Sequence, residues 1–64
     1  MTIRIRNGNS GITIRDIAHI GAKLGKRLNH KPLNRGFAAE VWGSEESLAE
    51  HDIDTISTLG YEIF

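Results

Sequence analysis

Hydrophobic and polar residues alternate strictly over Thr2-Ile3-Arg4-Ile5-Arg6, which predicts a half-buried strand with Ile3 and Ile5 inward and both arginines outward. Asn7 to Gly11 is dense in turn formers. From Thr13 to Asn29 the period lengthens. Placed at about 100° per residue, Ile14, Ile17, Ala18, Ile20, Gly21, Leu24, Gly25 and Leu28 fall on one side. Arg15, His19, Lys23, Lys26 and Arg27 gather on the other. This predicts an amphipathic helix with one apolar and one basic face. Thr13 is placed to cap its first turn, Asp16 to complete a capping box and Ile12 to act as the staple. A return strand through Ile12-Thr13-Ile14 is the competing reading. Lys26 and Arg27 fall in the expected last turn, where the helix dipole favours cations.

His30 to Gly36 reads as the exit loop, because Pro32 disfavours helical geometry in the residue before it. Phe37 to Trp42 reads as a strand with Phe37, Ala39 and Val41 on one face and Ala38, Glu40 and Trp42 on the other. A second helix is expected from Ser44 or Ser47, with Leu48, Ala49, Ile53, Ile56 and Leu59 sharing a face. Asp52 interrupts that face, so either the helix breaks there or the carboxylate is buried with a partner. Gly60 is a suitable terminator, and Tyr61 to Phe64 a short final strand. The expected fold is a single small α+β domain over residues 1–64, in β-α-β-α-β order. Three short strands would carry two helices on one face.

Composition narrows the class. A chain of 64 residues buries only about 60% of its unfolded surface, so assembly into a homo-oligomer is expected to enlarge its core. There is no cysteine, and no apolar run approaches the ~20 residues of a membrane span. A soluble cytoplasmic protein follows as the expectation. Net charge is zero, yet all eight Lys and Arg residues lie between Arg4 and Arg35, with Asp16 the only acid there. The remaining seven acids all follow residue 36, so the halves carry +7 and −7. Such asymmetry points to a polyanion-binding or acidic interaction face, or to halves that neutralise each other.

Candidate chemistry is sparse. Gly21-x-x-x-Gly25 reads as a close-packing notch, since helix-interior glycines each cost about 1 kcal/mol and need an offset. Its spacing fits neither a P-loop nor the glycine loop of KH modules. Thr13 to Ala18 and Leu28 to Pro32 resemble the opening and exit of the helix-turn-helix in lactose-repressor-type regulators, but the segment between is too short for a separate recognition helix. His19, His30 and His51 have no zinc-type spacing, even with Asp52 or Asp54. Ser44, Ser47 and Ser57 lie in no nucleophile-elbow context. No catalytic residue, cofactor or metal is expected.

The function expected is therefore a small non-enzymatic binding or regulatory protein. A basic surface centred on the helix face and made of Arg4, Arg6, Arg15, Lys23, Lys26, Arg27, Lys31 and Arg35 would bind a polyanion, nucleic acid first. The alternative is an inhibitor or adaptor engaging a protein partner through Trp42, Glu45, Glu46, Glu50 and Asp54, in imitation of nucleic acid. A third class is an oligomeric binder of a small anionic ligand.

Overall fold

The computed structural model describes residues 2–43 and 48–64. β1 (Ile3–Arg6) leads through a turn to α1 (Ile14–Leu24), followed by β2 (Leu28–Pro32), β3 (Ala38–Gly43), α2 (Glu50–Thr58) and β4 (Glu62–Ile63). Two helices and one four-stranded antiparallel sheet, ordered β2-β3-β1-β4, make an α+β domain. This is the β-α-β-β-α-β order of split β-α-β folds. Thr13 caps α1, so the competing hairpin strand through Ile12-Thr13-Ile14 does not form.

The expected three strands are thus four, and the extra one, β2, takes up the last two residues of the expected helix, Leu28 and Asn29, and the first three of the expected exit loop, His30 to Pro32. The helix stops at Leu24 because Gly25 adopts the left-handed conformation, φ 67°, and the Lys26 amide returns to the Gly21 carbonyl at 3.0 Å. That closure is the Schellman arrangement, which satisfies carbonyls the helix end would leave orphaned. Lys26 and Arg27 consequently lie beyond the helix. A Cβ on Gly21 would come within 2.8 Å of the Lys26 carbonyl oxygen, so the backbone that Gly21 admits is this chain's own. Gly25, expected beside it as a second close-packing position, has open space around it and supplies the left-handed turn instead.

Strand order has a consequence for charge. β1 and β2 come from the basic half and β3 and β4 from the acidic half, so the sheet alternates between halves. All three strand pairings join one half to the other.

Ile3, Ile5 and Val41 of the sheet form a single core with Ile17 and Ile20 of α1, Ile56 of α2, Leu48 and Tyr61. Ile3 lies opposite Val41 and Ile5 opposite Ala39, so these side chains share one face of the sheet. Ile12, Leu24, Leu28, Ile53 and Leu59 border the core.

Each helix begins with an aspartate in its third position. Asp16 accepts the Thr13 amide at 2.7 Å, while the Thr13 hydroxyl accepts the Asp16 amide at 3.1 Å. Asp52 accepts the Ala49 amide at 2.8 Å, and Ala49 offers no capping side chain. Both carboxylates also reach across the fold: Tyr61 O–H donates to Asp16 at 3.0 Å, and Lys26 Nζ donates to Asp52 at 2.8 Å. Of the two readings of Asp52, the buried carboxylate with a partner is the one observed. The expected caps at Ser44 and Ser47 lie outside the described residues, and α2 starts at Glu50.

Candidate functional site

The pleat turns Arg4 and Arg6 of β1, Asn29 and Lys31 of β2, and Ala38, Glu40 and Trp42 of β3 away from the core. Glu62 of β4 joins them opposite Arg6. The Phe64 amide donates to the Arg4 carbonyl at 3.0 Å, which extends the β4 pairing by one residue. One row therefore runs Lys31, Glu40, Arg4 across β2, β3 and β1, and the next sets Trp42 opposite Asn29.

Trp42 is half-buried and is absent from the residues packed on the core, as its place on the pleat requires. Phe64 is 42% exposed, and the guanidinium groups of Arg6 and Arg35 stand over its ring at 5.4 and 5.2 Å. These are cation–π distances, which hold both cations at the face without neutralising them.

Interleaved strands place acids between these cations. Arg4 pairs with Glu40 at 3.3 Å and Arg6 with Glu62 at 2.6 Å. Both are surface pairs, with side chains of Arg4 62% and Glu62 53% exposed, and such pairs contribute about 0–1 kcal/mol. Arg4, Arg6, Lys31 and the hairpin residue Arg35 outnumber Glu40 and Glu62, which leaves the face net positive.

The eight cations expected to form one polyanion surface are therefore divided. Arg4, Arg6, Lys31 and Arg35 belong to the sheet face and its hairpin. Arg15 and Lys23 are exposed on α1, Arg27 lines a groove between α1 and β2, and Lys26 is tied to Asp52. Among the acids of the alternative, Glu50 and Asp54 are exposed on α2, in the helix layer away from Trp42. Glu45 and Glu46 lie outside the described residues. Sequence reasoning missed Asn29 and Phe64 as members of the sheet face. Period-two alternation in Leu28-Asn29-His30-Lys31-Pro32 is the signal that would have placed Asn29.

The displaced pKa values sit elsewhere, at the helix starts. The Thr13 amide holds Asp16 below its ordinary value, and the Lys26 ammonium does the same for Asp52 against the upward push of burial. Burial and the Asp16 carboxylate raise Tyr61 to about 12. Among the described residues no three His, Asp or Glu converge on a metal position, and no helix is long and apolar enough to cross a membrane. The chain matches no family model, no curated protein and no solved structure.

Proposed function

We propose that this protein is a small non-enzymatic module that binds nucleic acid in single-stranded form across the open sheet face. Trp42 would stack a base, and Lys31, Arg4, Arg6 and Arg35 would contact phosphates. The observation that carries this reading is the position of Trp42: the one tryptophan of the chain stands on the core-free face of the sheet, with Asn29 opposite and Lys31 and Arg4 in the adjacent row. A four-stranded sheet presenting aromatics between cations suits unpaired bases, whose π-faces stack without sequence preference. A duplex offers no such faces. The weak pairs to Glu40 and Glu62 allow a phosphate to take the place of a carboxylate at Arg4 and Arg6. Of the residues of the acidic-partner alternative, Glu50 and Asp54 are exposed on α2, which packs on the core face of the sheet through Ile56. Trp42 is on the other face, and Glu45 and Glu46 lie outside the described residues.

Because Trp42 is the only tryptophan, its fluorescence reports the site directly. Oligouridylate or oligothymidylate at low salt is expected to quench it saturably, with log affinity falling against log salt by about 0.7 per phosphate contact. Trp42→Ala, followed by anisotropy of a labelled oligonucleotide, is expected to weaken binding by about 1–3 kcal/mol. Absence of quenching and of binding at low salt sinks the reading.

A further inference from the structure

We infer that the groove between α1 and β2 is a docking site for an acidic amphipathic helix of a partner protein. The groove has a volume of about 570 Å³; Ile17, Gly21 and Leu28 line it, together with Ile14, Ala18 and Ala22 along α1. Ile14 is 76% exposed at the first residue of the helix, an apolar side chain that the fold leaves uncovered. Ala18 and Ala22 follow it at one-turn intervals and are exposed as well. Together they extend the apolar surface of α1 past the core, toward the edge strand.

Charge decides the occupant. Arg27 and His30 also line the groove, as does Lys26, which is bound to Asp52. Arg15 stands exposed on the same helix, and Lys23 lies on the side of α1 away from the groove. Among the described residues, Arg15, Lys23 and Arg27 make no ion pair. The only acid of α1 or β2 is Asp16, whose carboxylate is occupied by Thr13 and Tyr61. A second copy packed by the same groove would bring no free carboxylate to Arg27, because Asp16 is the only acid of α1 or β2. A partner carrying carboxylates beside an apolar stripe satisfies both the rim and the floor.

The backbone decides its conformation. Leu33 N–H donates to the Ala38 carbonyl, so by the antiparallel alternation Lys31 and Asn29 face β3, while Leu28, His30 and Pro32 face outward. Pro32 has no N–H, and an edge strand bearing Pro and Lys is poorly suited to accept another strand. A helix needs no backbone bonds from its groove, and apolar residues recurring about once per turn can follow the four-residue steps of Ile14, Ala18 and Ala22.

The probe is a synthetic peptide with leucine at i, i+4, i+7 and i+11 and glutamate at most other positions. One control replaces its glutamates with lysines and another scrambles its order. Titrated into isotopically labelled protein, the acidic peptide is expected to give saturable NMR shifts centred on Ile14, Ala18, Arg27 and His30. It should bind at least about tenfold more tightly than either control. Ala18→Glu and Arg27→Glu, both at exposed positions, should each weaken it about tenfold, and Ile14→Ser should do likewise. Oligouridylate should leave the bound peptide in place, which separates this site from the sheet face. The inference fails if the lysine peptide binds equally, if no saturable shifts occur, or if the shifts map elsewhere. Displacement by oligouridylate would reassign the groove to polyanion binding. A dimer in sedimentation that Ala18→Glu dissociates would assign it to a second copy.

Discussion

The two helix starts use the same residue for the same local task, yet differ in what they hold together. Asp16 and Asp52 occupy equivalent positions, and each accepts the amide three residues before it. Beyond that the environments part. Asp16 is half-exposed, shares its helix start with the Thr13 hydroxyl, and receives a neutral phenol. Asp52 is only 4% exposed, has no side-chain helper at Ala49, and receives an ammonium from the basic half. A capping aspartate is thus a surface feature at one helix and a buried cross-brace at the other. The second should dominate stability, because a buried polar group left without a partner carries its full desolvation cost.

Removing each carboxylate tests that comparison most strongly. Asp52→Ala strands the Lys26 ammonium and the Ala49 amide together, and is expected to cost about 2–4 kcal/mol in urea denaturation. Asp16→Ala should cost about 1–2 kcal/mol, since water reaches the groups it leaves. Equal losses would mean that burial of Asp52 contributes nothing.

Titration of stability with pH sharpens the same contrast. Both aspartates are held below their ordinary 3.8 in the folded chain, so their stabilisation is present above that value. It is lost as pH falls through the lower folded values. Asp52→Asn should flatten this acid limb more than Asp16→Asn does. Tyr61 behaves in the opposite sense. Raised from 10.0 to about 12, it gives stability that is complete below pH 10 and lost as pH rises toward 12. The smallest expected effect is Tyr61→Phe, which removes one bond to Asp16 at about 1–1.5 kcal/mol and should abolish the alkaline limb. An unchanged limb in that variant would assign it to other groups.

Much of this architecture was legible from residue patterns. Strict alternation placed β1 and gave the facing of Trp42, and the Thr13 and Asp16 pair announced the start of α1. The end of α1 was not legible, because Leu24 and Leu28 satisfy both a helical period and the inward positions flanking a strand. Gly25 is a good left-handed terminator, yet a glycine on an apolar face also reads as a packing notch. The backbone dihedral decides between these, and side-chain patterns do not report it. Within the candidate site the cations were identifiable individually. Their division between two layers, and the placing of Glu40 and Glu62 among them, arise from strand order. Phe64 entered the site only through its long-range pairing with β1.

That strand order also governs how the chain reaches its fold. Cutting the β2–β3 turn would leave two pieces of opposite charge, neither with a strand partner of its own. No sheet can nucleate in the first half while the second remains unformed, so α1 must wait for a tertiary surface or persist as an isolated helix of marginal length. Charge segregation along the chain then acquires a kinetic meaning. Opposite net charges on the two segments are expected to favour their encounter, so refolding should slow as salt is raised. The polarity that invites a search for external partners is, within the sheet, an instruction for assembling the molecule itself.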